Sequence, residues 1–253
     1  MIKLFKRPAA RGSAIEAASP NYIALTDVGM KRDENQDSVL ARPLPGGRLI
    51  VAVADGVGGS DDGAAASKAA IDCLYRAVRD ANHPERALID GYAQADEAVR
   101  RLGSGDRRPA TTLVSAIIEG DRAWIANIGD SRAYLADGRH LRQLTEDHSW
   151  VAEQVRSGRM SEEEARQSQM RNVITRAIGT GESPSPDIIG PLALSARDTL
   201  MLCSDGLHGL VDEIEIGELL NGDYGEETAP RLIDLANEAG GHDNISVVLY
   251  RPA

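Results

Sequence analysis

The chain has 253 residues, a formal charge of −11 and 42% hydrophobic residues, a size that suits one large domain or two small ones. Its acidic balance argues against broad nucleic-acid binding, which needs a basic face, and with 4% aromatic residues the core must be aliphatic. No apolar run approaches the roughly 20 residues that span a bilayer, so membrane insertion is not expected.

Residues 1–20 read as a flexible lead-in kept solvated by Lys3, Lys6, Arg7 and Arg11, without the apolar stretch of a signal peptide. Residues 22–26 and 48–54 have strand character, and each run is followed by a loop rich in Asp and Gly. Ala66, Ala69, Ala70, Cys73, Leu74, Ala77 and Val78 then recur at helical spacing over 62–80. A second helix follows Pro84, with Leu88, Tyr92, Ala95, Val99 and Leu102 on one face, and a flexible stretch covers 103–109. Between 111 and 144, strands joined by tight turns at 119–121, 129–130 and 137–138 leave no room for crossover helices, so they are antiparallel. Polar helical sequence is expected from about 146 to 178. A strand at 199–204, short helices near 212–220 and 228–239, and a final strand at 245–250 complete the chain. With no evident linker, residues 21–253 read as a single α+β domain. Cys73 and Cys203 fall in apolar runs, as reduced, buried thiols of a cytoplasmic protein would.

Aspartates recur in one setting. Asp55 ends the strand LIVAVAD, Asp205 ends LMLCSD, Asp130 lies in the turn IGDSR, and Asp243 precedes the last strand in GGHDNISVVLY. One such aspartate is usually a turn former or a helix cap. Four of them at the ends of strands point to a hard divalent cation, because gathered carboxylates repel and oxygen-only ligands select Mg²⁺ or Mn²⁺. The five histidines show no zinc-like spacing.

Seven stretches in order, TDVGMKRDENQDS, VADGVGGSDDGAAAS, ATTLVSAII, IANIGDSRAYL, QLTEDHSWV, LMLCSDGL and GGHDNISVV, resemble the metal-dependent protein Ser/Thr phosphatases of the 2C type in their compact bacterial form. The resemblance reaches from about residue 22 to the C-terminus. It implies a central antiparallel β-sandwich flanked by helices on both sides, with the metal cluster at one end. It also implies that Asp55 bridges two Mn²⁺ or Mg²⁺ ions, that the Gly56 carbonyl holds the second, and that Asp205 and Asp243 complete the first. Asp130, with Asp205, would take a third, weaker ion, and Arg32 would grip the substrate phosphate. Gln36, Asp37 and Asn244 would stand behind the ligands, with Gln36 reaching the second ion through water. A hydroxide bridging two ions about 3.5–4 Å apart would then attack phosphorus in line. The implied partners are phosphoprotein substrates and a cognate Ser/Thr kinase, one such setting being a type VI secretion system, and the implied state is a cytoplasmic monomer.

Some positions depart from that family. Gln36 replaces a Glu, which weakens metal binding. Val57 stands where eukaryotic members carry a histidine proposed as general acid. Ser60 and Ala64 replace a His and a Glu, and Ala110 replaces a Gly. His148 precedes the segment 150–178, which matches a mobile flap, and reads as a capping or packing residue as readily as a catalytic one. The match of Cys73–Arg79 to C-x5-R is a chance one, since the stretch is a regular amphipathic helix. A catalytically dead, phosphoprotein-binding relative would lack the metal aspartates or Arg32, and all are present.

Overall fold

The computed structural model describes residues 14–19, 21–57, 62–104, 108–181, 185–222 and 225–252. Strand alternation sets the layering. Along Arg48–Val57, Ile50, Ala52 and Ala54 face helices, while Leu49, Val51 and Val53 face a second sheet. Both faces are buried, which is why this strand reads as an unbroken apolar run.

The strands are β1 (Ala14–Ser19), β2 (Tyr22–Asp27), β3 (Asp37–Leu44), β4 (Arg48–Val57), β5 (Ala110–Thr111), β6 (Leu113–Glu119), β7 (Arg122–Ile128), β8 (Arg132–Ala136), β9 (Leu141–Gln143), β10 (Asp187–Ala193), β11 (Thr199–Cys203) and β12 (Ile245–Tyr250). One sheet runs β1-β2-β12-β11-β8-β9 and the other β10-β7-β6-β4-β3, with β5 beside β4. The pairings are antiparallel throughout. Helices α1 (Asp62–Arg79) and α2 (Pro84–Leu102) pack on the outer face of the second sheet. On the far side, α5 (Asp205–His208), α6 (Glu213–Asn221) and α7 (Thr228–Glu238) cover the first. The result is the expected α+β sandwich, helices outside and two sheets within. The end of α1 is closed by Arg48, whose guanidinium donates to the carbonyls of Pro45, Ala81 and Arg79.

Three expectations change. Residues 14–19, expected in the flexible lead-in, form β1 and pair with β2 through Ser19↔Tyr22; residues 1–13, with all four basic side chains, lie outside the described residues. The polar helix expected over 146–178 is two short helices, α3 (Trp150–Arg156) and α4 (Glu162–Gln167). Gly158 breaks it at φ +70°, Ser161 starts α4 through a capping box with Glu164, and the chain beyond bridges at Ile174↔Ser149 and Ile178↔Thr111. Strands β3 and β10 were not anticipated; each contains a proline, which an edge strand tolerates. Cys73 lies on the buried face of α1, so C-x5-R is helix and not a phosphate loop.

Candidate active site

The alternation that fills the sandwich also aims the carboxylates. Asp55 continues the face of Leu49, Val51 and Val53, so it enters the space between the sheets at the end of β4. Asp37 is its cross-strand partner on β3. Asp205 begins α5 directly after β11 and Ser204, Asp243 precedes β12, and Asp130 lies in the turn from β7 to β8. Thr111 and Thr112 hold the backbone of Asp55. Its N–H donates to Thr112 Oγ1 at 2.9 Å, and its carbonyl accepts from Thr112 N and Thr111 Oγ1, both at 2.8 Å. The neighbouring Gly56 admits no side chain, because a Cβ there would lie 2.3 Å from the Gly63 carbonyl.

The five carboxyls burden one another. Loss of hydration dominates for Asp55, which keeps only part of its surface open, and Asp37, Asp205, Asp130 and Asp243 push its pKa further above the usual carboxylate range. Burial raises Asp37 to about 7 against bonds from Ser246 Oγ (2.6 Å) and Ser204 Oγ (2.9 Å), with Asp205 and Asp243 adding to the rise. Asp130 is raised to about 8 by burial, then by Asp205 and Asp147. Asp205 rises through burial and Asp243, and a hydrogen bond shared with Asp55 eases it. Asp37 Oδ1 and Asp205 Oδ1 are buried without a hydrogen-bond partner. Buried acceptors left without donors are what a cation would satisfy.

Arg32 stands at the rim, its Nη2 2.9 Å from Asp243 Oδ2. Its loop is tied to the start of β12. Asn244 Nδ2 donates to the carbonyls of Val28 (3.0 Å) and Glu34 (2.9 Å), while Asn244 Oδ1 accepts from Gln36 N at 2.8 Å. Asn244, expected to orient ligands or water, thus spends its amide on the loop that presents Arg32. Gln36 rests its side chain against Gly63 in the first turn of α1 and gives its carbonyl to Gly56 N and Ser67 Oγ. Such close approaches need glycine. A Cβ on Gly206 would sit 2.0 Å from the Asn244 carbonyl. Gly206→Ala is therefore expected to destabilise the protein by about 2–4 kcal/mol, read as a lowered urea midpoint at unchanged slope.

Around Asp130 act His148, which the sequence reading weighed, and Arg132 and His208, which it did not single out. Arg132 grips Asp147 with Nε (2.8 Å) and Nη2 (2.7 Å), and its Nη1 donates to Tyr134 Oη. This half-buried pair anchors the chain just before α3. His148 accepts from Gly129 N at Nδ1 (3.0 Å), and its Nε2 lies 3.0 Å from Asp187. Burial lowers its pKa, opposed by Asp187. It ties the β7–β8 turn to the chain just before α3, the capping or packing role weighed from sequence. His208 lies 3.0 Å from the Asp130 carbonyl, its pKa lowered to about 3 by burial and Arg132. The partners of these groups are distant in sequence, so no local pattern marks them. Ser60 lies outside the described residues, and Ala64 falls within α1.

The donor set suits hard divalent ions: it is all oxygen, strongly acidic and partly orphaned. Among the described residues, no three His, Cys, Asp or Glu side chains lie close enough together to hold a metal ion as they stand. Asp243 and Arg32 neutralise each other at the rim. Divalent ions would take over the neutralisation that these partners perform.

Known proteins share this architecture. The chain is 36% identical over 233 residues to protein phosphatase PhpP of Streptococcus pneumoniae, covering 89% of this chain and 94% of that one. A Streptococcus agalactiae serine/threonine phosphatase superposes with a TM-score of 0.87 at 30% identity, covering 92% of this chain and all of that one. The catalytic domain of the serine/threonine protein phosphatase PstP, in complex with two manganese ions, superposes at 0.81 with 34% identity, covering 91% and 96%. PppA, a regulatory component of the type VI secretion system in Pseudomonas aeruginosa, gives 0.78 at 30% identity, covering 95% and 99%. Sandwich, acid cluster and these likenesses define the class as protein phosphatase. The family model described as protein phosphatase 2C matches residues 30–237, and the chain belongs to the protein phosphatase 2C family.

Proposed function

We propose that this chain hydrolyses phosphoserine and phosphothreonine in proteins with the help of Mn²⁺ or Mg²⁺. The observation that carries the reading is five mutually repelling aspartates at strand ends and turns, two of their buried oxygens lacking partners, beside an arginine at the rim. Asp55, the Gly56 carbonyl, Asp205 and Asp243 would hold two ions, and Asp130 with Asp205 a third, weaker one. The ions, when bound, would supply an activated water and positive charge at the reacting phosphate.

The chain's own residues do the rest. Arg32 offers a planar fork that suits two phosphate oxygens, and its loop is fixed by Asn244. Asp37 stays behind Asp55, held by Ser204 and Ser246. Neither cysteine is poised as a covalent nucleophile. The Cys203 thiol is buried and pushed up to about 12, and Cys73 packs inside α1. Val57 has no ionisable proton to give, so solvent protonates the departing serine or threonine. A phosphoprotein substrate implies an opposing Ser/Thr kinase, and the likeness to PppA supports testing a type VI secretion kinase among the candidates. Free, buried cysteines agree with a reducing cytoplasm, and among the described residues no helix is long and apolar enough to cross a membrane. We take the working unit to be a monomer.

The test is hydrolysis of p-nitrophenyl phosphate and of a phosphothreonine peptide in Mn²⁺ by wild type, Arg32→Ala and Asp205→Asn. Arg32→Ala is expected to raise KM by about 10–100-fold, the worth of a charge-assisted contact of about 1.5–3 kcal/mol. A wild type no faster than Asp205→Asn would end the reading.

A further inference from the structure

We infer that His208 is a positioning residue that sets the separation of Asp130 from Asp205. The inference rests on the reading above, in which these two aspartates share the weaker ion. Asp205 and His208 are the first and last residues of α5, one helical turn, so their side chains lie on the same side of it. The His208 Nε2 is 3.0 Å from the Asp130 carbonyl. A carbonyl only accepts, so the ring donates there.

The two aspartates sit beyond the end of a ladder. Strands β8 and β11 pair up to Arg132↔Cys203, two residues short of each aspartate. Past that rung the chains part, one toward the β7–β8 turn and the other into α5. Helix α5 is secured to β12, through Ser204 N to the Ser246 carbonyl (3.1 Å) and the close approach of Gly206 to Asn244. The Asp130 turn is secured toward the flap, where Gly129 N donates to His148 Nδ1. Each side is thus fixed to a different neighbour, and the His208 bond joins them. Groups that orient metal ligands from behind typically contribute about 10–100-fold to affinity.

The experiment is Mn²⁺ binding followed by calorimetry and by the spin-resonance signal of free Mn²⁺. It compares wild type with Asp130→Asn, His208→Phe, His208→Ala and His208→Gln, and metal-free melting shows which variants fold. In His208→Phe and His208→Ala, the weak site is expected to lose about 10-fold or more in affinity, as in Asp130→Asn, with the tighter pair unchanged. His208→Gln keeps a donor and is expected to restore the weak site to within about 3-fold of wild type. If either non-donor variant folds and binds the weak ion like wild type, the positioning role is overturned while the two-ion reading stands. The same holds if the tighter pair weakens equally, or if Gln restores nothing. Wild type and Asp130→Asn binding Mn²⁺ identically would remove Asp130 as a ligand, and the role of His208 with it.

Discussion

Asp55→Asn is expected to lower kcat by about three orders of magnitude while raising the melting temperature of the metal-free protein. The two effects have opposite signs because the same carboxylate is costly in the metal-free fold and, on the proposed reading, indispensable once ions are bound. Its backbone is fixed by Thr111 and Thr112, so the amide must occupy the carboxylate's place. There it relieves repulsion with Asp37, Asp205, Asp130 and Asp243, and no longer has to be desolvated as a charge. It also loses the negative oxygen proposed to hold both ions, and removing preorganised electrostatic stabilisation typically costs about 10²–10³ or more in rate. Steady-state kinetics with saturating Mn²⁺ and thermal melts in chelator measure the two halves. A variant that is both nearly inactive and less stable without metal would show Asp55 to be structural.

The stability of the metal-free protein should fall as pH rises from about 5 to 8.5. Asp37 is raised to about 7 and Asp130 to about 8 by burial and neighbouring charge, against about 4 in an unfolded chain. Between those limits the folded state keeps protons that the unfolded state has released, so stability declines with pH. The penalty is absent below pH 4 and fully developed above about 8. The rises to about 7 and about 8 correspond to at most about 4 kcal/mol for Asp37 and about 5.5 kcal/mol for Asp130, so with part of that penalty realised a fall of about 10–20 °C in Tm is expected over the window. Saturating Mn²⁺ should flatten or reverse the trend, since deprotonated carboxylates bind the ion. Melts in chelator and in Mn²⁺ across this range decide it, and a chelator curve that is flat or rises with pH contradicts the electrostatics of the cluster.

The interior of the fold was legible and its margins were not. Strands β4, β11 and β12 are buried on both faces or nearly so, and their apolar runs announce them. The overlooked β1, β3 and β10 are edge strands, where one side lacks a neighbour, proline is tolerated and apolar alternation weakens. Four of the five aspartates declared themselves by ending strands or turns. The partners of Asn244 did not: Gln36 lies 208 residues earlier, and nothing local to either residue signals the bond. The Arg132–Asp147 clamp and the His208 tie escaped notice for the same reason, because spacing in a sequence reports one element and these contacts join two.

The carboxylates are shared between the two halves of the sandwich. Asp37 and Asp55 ride on one sheet, Asp205 and Asp243 on the other, and Asp130 and Arg32 occupy crossings from sheet to sheet. On the proposed reading, catalytic competence is therefore a gauge of how the halves are seated against each other. A slip of the inner Val51–Val53 layer over Leu200–Leu202, far too slight to unfold anything, would be read out at the mouth as lost register among the acids.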